Sequence, residues 1–376
     1  MWGRAEGRRE MGLTMGLNLL LLVAMVATNI LSLYHLSSTI QSKPTPPPAP
    51  VPDHLRHQLN TIRATLTHLT RLRSTSSSSA SSATPSDLLL YTHLSPMASS
   101  CRDHPDLLHT YMTYTPFSLC PDDSQLAESL ILRGCHPLPR RRCFARTPSK
   151  LPSSLPADPF SPLPDSAVLW TKYSCNSFSC FDGGLGFNMK LEASRFTSSG
   201  SNLDLTIPQL LQIAKDASSV IRIGLDIGGG TGTFAAKMKP YNVTVVSTTM
   251  SQGAPYNEAT ALRGLVPLHA PLQQRLPVFD GVVDLVRCGR AVNRWIPTVA
   301  MEFFFYDVDR VLRGGGYLWL DHFFSKGADL QKLYAPVIGK LGYKKVKWTM
   351  ANKTDSSGVK NGEVYLTALL QKPVSR

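Results

Sequence analysis

Apolar and polar positions follow different rhythms in successive parts of the chain. From Met11 to Tyr34 no charged residue interrupts, and Leu17 to Ala27 is almost wholly apolar. Coiled as a helix, that stretch is ~36 Å long, enough for a hydrocarbon layer of ~30 Å. Between residues 53 and 73, Leu55, Leu59, Ile62, Leu66, Leu69 and Leu72 recur at heptad-like spacing, which predicts one apolar stripe along a helix. From Thr206 onward, short β-branched runs alternate with helical stretches. Thr206 caps a helix that has Pro208 in its first turn, Leu210, Leu211, Ile213, Ala214 and Ala217 on one face, and an end near Ser219. Strands are expected over 220–227, 243–249, 281–286 and 317–321, with helices over 234–238 and 297–312. A parallel sheet covered by helices on both faces accounts for that alternation, so 201–376 is read as a doubly wound α/β domain.

The segments before that domain differ in composition. Arg4, Arg8 and Arg9 precede the apolar stretch, and the next basic residue after it is Lys43. This asymmetry predicts a cytosolic tail (1–10), a transmembrane signal anchor (11–34) and a lumenal remainder. The stretch runs past the ~7 to 15 apolar residues of a cleaved signal peptide and lacks a clear A-x-A site. Residues 35–86 read as a stem, with a stiff Pro-rich spacer at 43–52, the short heptad helix and a Ser-rich linker at 74–86. The stripe at 53–73 suits a homodimer or complex, or packing on its own protein.

Six of the seven cysteines, Cys101, Cys120, Cys135, Cys143, Cys175 and Cys180, fall in an irregular segment at 87–200, expected to pack on the α/β domain. No CxxC occurs and the nearby histidines complete no zinc-like spacing, so no metal site is expected. In an oxidising lumen the six read as up to three disulfides; free buried thiols are the other reading. Asn242 and Asn352 begin N-x-T sequons that are glycosylation acceptors in a lumenal protein. The excess of Lys and Arg gives a net charge of +13, which favours polyanions or anionic surfaces as neighbours.

The sharpest local signal is Asp226-Ile-Gly-Gly-Gly-Thr-Gly232, placed after the first expected strand of the domain and before a helix. Glycines there let the backbone turn tightly and approach a ligand. Gly228, Gly230 and Gly232 alternate and do not follow the G-x-G-x-x-G spacing that seats a pyrophosphate. An acid two residues before the first of them suits a cationic, phosphate-free ligand, whose ammonium Asp226 would hold directly or through water. S-adenosyl-L-methionine fits that description.

With this motif the sequence resembles the class I S-adenosylmethionine-dependent methyltransferases. The stretches 222–238, 242–250, 254–286 and 307–324 resemble the plant probable methyltransferases, a group of Golgi type II membrane proteins related to the Quasimodo-type pectin-associated proteins. CHPLPRRRCF (135–144) and WTKYSCNSFSC (170–180) extend the likeness upstream. The resemblance implies a seven-stranded Rossmann-like sheet ending in an antiparallel hairpin, here at 344–350 and 363–371 with a polar loop at 351–362. It also implies that Asp226, Gly228, Gly230 and Gly232 line the methionine and sugar ends of the cofactor. After the second strand, where many methyltransferases carry a ribose-binding acid, this chain offers Ser247, Thr248, Thr249 and Met250. Thr248 and Thr249 are therefore the candidate ribose contacts, with Glu258 a substitute from the following loop.

The acceptor side rests on His322, Arg287, Arg290 and Arg294, all expected at the carboxyl edge of the sheet. His322 is the candidate base. A carboxylate acceptor needs none, whereas a sugar hydroxyl must lose a proton. Arg287 and Arg290 are the candidate grips on acceptor carboxylates. The resulting expectation is a Golgi-lumen methyltransferase acting on an acidic wall polysaccharide such as homogalacturonan. The rival is a weak or inactive methyltransferase fold that scaffolds a wall-synthesis complex. A nucleic-acid partner conflicts with the anchor and is not expected.

Overall fold

The computed structural model describes residues 20–35, helical pieces at 58–59, 62–63 and 66–67, and residues 99–374 except 149–153, 155, 182–183 and 251–252. The chain divides into two units, Met1–Leu88 and Leu89–Arg376. In the first, residues 20–35 form a helix with every side chain exposed. No helix among the described residues is long and apolar enough to cross a membrane. Residues 11–19 of the expected anchor, the tail, the Pro-rich spacer and the Ser-rich linker lie outside the described residues. Of the heptad stripe, Leu59, Ile62 and Leu66 are described, helical and exposed.

The second unit begins with α1 (Pro105–Met112) and α2 (Ser124–Leu132), two short helices in an irregular segment. Disulfides Cys101–Cys135 and Cys120–Cys143 staple it, and Cys175–Cys180 closes a small loop further on. All six expected cysteines are therefore paired, while Cys288 is free and buried. After α3 (Met189–Ser194), α4 (Ile207–Asp216) opens the α/β layer. Thr206 caps α4 in a capping box with Gln209, each side chain bonded to the other residue's backbone N–H.

The order then runs β1 (Ile223–Ile227), α5 (Thr233–Met238), β2 (Thr244–Thr249), α6 (Tyr256–Leu262), β3 (Val266–His269), β4 (Val283–Cys288), α7 (Thr298–Val311) and β5 (Leu312–Lys326). A helix over 327–339 with a π turn at Leu330–Tyr334 follows, then β6 (Lys344–Asn352), α8 (Ser356–Asn361) and β7 (Glu363–Gln371). The seven strands lie in the order β3-β2-β1-β4-β5-β7-β6, with β7 antiparallel to β5 and β6. This is the Rossmann-like sheet with a terminal hairpin that the family resemblance implies. One open edge is β3, short and interrupted by Pro267. The other is β6, which carries exposed Lys344 and Lys345.

The sheet is buried on both faces, as a parallel sheet requires. Leu225, Ile227, Val286, Cys288, Leu318 and Leu320 face α7 and the 327–339 helix. Val245, Leu285, Tyr317 and Trp319 face α4 and α5. The structure differs from the expected elements chiefly at three strands: β3 is an added edge strand that the sequence pattern did not announce. β4 continues to Cys288, two residues past the expected end. β5 runs on from Leu320, where its pairing with β4 stops, to Lys326 by pairing with β7, and the register shifts between Leu320 and Phe323. Asp321 and His322 occupy that irregularity.

Candidate functional site

The carboxyl ends of β1, β4 and β5 place Asp226, Arg287 and Trp319 side by side in register, on the face that carries α4 and α5. After Ile227 the chain turns through Gly228, Gly230 and Gly232, all at positive φ, before α5 starts. Gly228 is required twice over: its φ is +68°, and a Cβ there would lie 2.3 Å from the Cβ of Ala291. The turn is sewn to the end of β2. The Gly229 N–H donates to the Thr248 carbonyl at 2.9 Å, and the Thr248 hydroxyl accepts from the Gly228 N–H at 3.3 Å.

Beneath the turn lies a buried charge network. The Arg287 Nη1 donates to Asp226 Oδ1 at 2.6 Å, Nε donates to Asp321 Oδ2 at 3.0 Å, and Nη2 also reaches that oxygen. Phe196, Phe234 and Trp319 surround the guanidinium with ring centroids at 4.8, 5.2 and 5.6 Å. Asp321 Oδ1 lies 2.7 Å from His322 Nδ1, and His322 Nε2 lies 3.6 Å from Asp204 Oδ1. His322 has φ +57°, uncommon for a residue with a Cβ, and its ring meets Tyr365 edge-on. Its partly exposed imidazole brings the network toward solvent.

Burial raises both carboxylates, and their charged neighbours drive the two apart in acidity. Desolvation raises the Asp226 carboxyl above its ordinary value, with Arg287 opposing only in part. Desolvation also acts on Asp321, but Arg287 and His322 together hold it well below the ordinary carboxylate range. Burial works against the Arg287 charge, and the two carboxylates more than restore it. Asp321 is thus the firmly ionised member, and Asp226 the one that takes a proton first.

The candidate residues fall into distinct places. Arg287 is only 5 % exposed. It faces inward to two acids, so its expected grip on an acceptor is corrected; the reason is that β4 extends through it and sets it opposite Asp226. Arg290, in the next loop, is exposed. Arg294 pairs with Glu363 at 2.6 Å. The Thr248 hydroxyl is buried and bonded to the glycine turn, and Thr249 donates to the Met250 carbonyl, so both brace backbone and neither offers the expected open ribose contact. Glu258, in the first turn of α6, accepts from the Tyr173 hydroxyl at 2.8 Å. Asn242 and Asn352 are exposed, as an acceptor sequon requires.

Two features of the site went unread in the sequence. Residues 165–181 and 184–187 pack against the glycine turn and α6: Thr231 donates to the Gly186 carbonyl at 2.8 Å, and Phe187 lies 5.2 Å from Tyr256 within a cluster with Trp170, Phe178 and Phe181. The second is Arg263, 1 % exposed, whose guanidinium donates to the carbonyls of Pro159 and Thr231 and to the Thr233 hydroxyl. Burial pulls it down to about 10. It pins the upstream segment to the turn. The aromatic residues of WTKYSCNSFSC were the available signal for the first feature; a single arginine just after a short helix gave none for the second.

Comparison with known proteins gives three kinds of match. Residues 170–333 match a family described as "Putative S-adenosyl-L-methionine-dependent methyltransferase". A probable methyltransferase of Arabidopsis thaliana is 64 % identical over 388 residues, covering 97 % of this chain and 100 % of that one. Another from the same plant is 25 % identical and covers 55 % of this chain and 35 % of its own length. Among solved structures, the N-methyltransferase NodS of Bradyrhizobium japonicum aligns at 15 % identity over 44 % of this chain and 93 % of its own, with a TM-score of 0.34.

The residues present fit S-adenosyl-L-methionine. Asp226 Oδ2 and Ser247 Oγ are buried polar atoms without a hydrogen-bond partner among the described residues, and Asp226 Oδ2 and Ser247 Cβ flank Gly229. A Cβ at Gly229 would lie 2.6 Å from Asp226 Oδ2, so the absence of a side chain at Gly229 leaves room beside this unpartnered oxygen, while Oδ1 stays paired with Arg287. A cationic amino-acid end is the ligand class such an arrangement favours.

Proposed function

Because the chain belongs to the plant S-adenosyl-L-methionine-dependent methyltransferases, we propose that its acceptor is an acidic wall polysaccharide such as homogalacturonan, methylated in the Golgi lumen. The observation that carries the lumenal reading is the set of three disulfides, which form and persist in oxidising compartments. In this reading the apolar stretch 11–34 is the type II anchor, residues 53–73 are the surface for self-association, and Asn242 and Asn352 carry glycans. The net charge of +13 and exposed Arg290 at the carboxyl edge support an anionic acceptor.

When bound, S-adenosyl-L-methionine supplies a methyl group already activated on sulfur. The glycine turn lets backbone approach it, and Asp226 supplies negative charge beneath Gly229. In this reading Arg290 pairs with a uronate carboxylate, and such a carboxylate attacks without a base. A second reading, ether formation on a sugar hydroxyl, is favoured by one observation. His322 is oriented by Asp321 at 2.7 Å, which leaves Nε2 as the atom to accept a hydroxyl proton. Microsomes containing the chain, supplied with methyl-labelled cofactor and oligogalacturonate, test both. Alkali-labile label supports the ester, alkali-stable label the ether, and absence of label where the cofactor binds removes the acceptor assignment. Protease protection of 35–376 in the same microsomes tests the topology.

A further inference from the structure

The disulfide-stapled segment before the α/β layer presents a surface that methyl transfer does not use. Between Arg140 and Phe144, exposed and covered side chains alternate: Arg140, Arg142 and Phe144 face solvent, while Arg141 and Cys143 turn inward; Ala145 and Arg146 beyond them are exposed as well. Arg141 engages Asp123 with both terminal nitrogens and lies 4.1 Å over the Tyr111 ring, so the neighbouring acid is occupied below the surface. Among the described residues, no acidic side chain pairs with Arg140, Arg142 or Arg146.

A second strip runs alongside. The Phe117 N–H donates to the Arg142 carbonyl at 2.7 Å, the Phe144 N–H to the Ser118 carbonyl at 2.8 Å and the Cys120 N–H to the Phe144 carbonyl at 2.9 Å, with Cys120–Cys143 locking the pair. Phe117, Leu119 and Phe144 are 73, 60 and 63 % exposed, and Phe117 is held at φ +61°. Large apolar side chains fixed in the open, interleaved with unpaired guanidiniums, need an occupant.

From this geometry we infer a binding site for an acidic polysaccharide, a polyuronate, on the face made by Phe117, Leu119, Phe144, Arg140, Arg142 and Arg146. A uronate chain presents carboxylates, which guanidinium forks recognise, and the C–H faces of pyranose rings, which lie flat on aromatic rings. The inference rests on the proposed acceptor class and adds a holding site apart from the reacting residue. Its placement suits that role. Glu128 of α2 meets His269, the last residue of β3, at 2.8 Å, which ties the segment to the carboxyl edge where the glycine turn lies.

The test is equilibrium binding of the full chain to long oligogalacturonate, read without any methyl transfer. The neutral probe is a galactan of equal length, and the alternative anion is a phosphatidylserine vesicle. The variant R140Q/R142Q/R146Q is compared with K332Q/K344Q/K360Q, which removes the same charge from exposed lysines elsewhere. Loss of three exposed ion pairs of ordinary strength predicts about tenfold weaker oligogalacturonate binding for the arginine variant and little change for the lysine control. Phe117→Gly, which suits the positive φ, should also weaken binding while leaving the fold intact. Equal losses in both triple variants, equal binding of galactan, or binding of vesicles without oligogalacturonate would overturn the assignment. So would no binding at all. Because binding is read alone, it can fail while methyl transfer succeeds, and the reverse.

Discussion

Replacing Arg287 with Met removes the one cation between two buried acids. Asp226 is fully buried and Asp321 is 5 % exposed, so neither recovers its solvation when the guanidinium goes. Removing one member of a buried ion pair costs about 3–5 kcal/mol, because the partner is left charged and unpaired. Met fills much of the space between Phe196, Phe234 and Trp319, so lost packing adds little. A loss of about 4 kcal/mol corresponds to about a thousandfold in the folded-to-unfolded ratio. The companion is the neutral triple variant R287M/D226N/D321N, which removes the stranded charges and should regain most of the loss. Urea denaturation with disulfides intact, followed by tryptophan fluorescence, reads all three proteins, and Trp319 lies 5.6 Å from the guanidinium as a local reporter. An R287M midpoint close to wild type, or a triple variant no more stable than R287M, would refute the claim that stranded carboxylates carry the cost.

Acidification tests the same network by another route. Because the folded Asp321 carboxyl is held below the ordinary range, its stabilisation is fully present above about pH 4 and is lost as pH falls through the folded value. Asp321→Asn should abolish that acid-side loss in denaturation midpoints measured from about pH 1.5 to 7; an unchanged slope below about pH 4 counts against it. Asp226 has the opposite sign: its raised value makes stability fall as pH rises from about 4 through the folded value, and Asp226→Asn should remove that fall. His322→Gln should leave ester formation on oligogalacturonate within a few-fold of wild type. A drop of about 10²-fold or more, with alkali-stable product, would move the acceptor atom to a hydroxyl. Gly228→Ala should cost about 1–3 kcal/mol from its positive φ alone and abolish calorimetric binding of S-adenosyl-L-methionine. Adding Ala291→Gly relieves the contact without relieving φ, so rescue should be partial; full rescue would show that conformation is not limiting.

The parts of the fold legible in the sequence are those written locally. Thr206 and Gln209 supply their own cap, the β-branched run before Asp226 supplies β1, and the alternating glycines announce the turn between β1 and α5. β3 escaped because Pro267 interrupts so short a run, a cost tolerated at an edge strand. The full length of β5 depends on β7, which pairs with it from Glu363 onward, so nothing near Asp321 and His322 announces the irregularity that sets them beside Arg287. Arg287 was misread for a smaller reason: a strand end two residues later turns a loop arginine into an inward-facing one. Arg263 and the contacts of Gly186 and Phe187 act across long sequence separations, where pattern within a window carries no information.

The two borders of the sheet have a consequence for assembly. Each offers unpaired backbone groups only where addition of a neighbouring copy is discouraged: Pro267 lacks a donor, and a second β6 would bring the charges of Lys344 and Lys345 against their own kind. Copies at high concentration can therefore crowd without fusing their sheets into a continuous ribbon at either border.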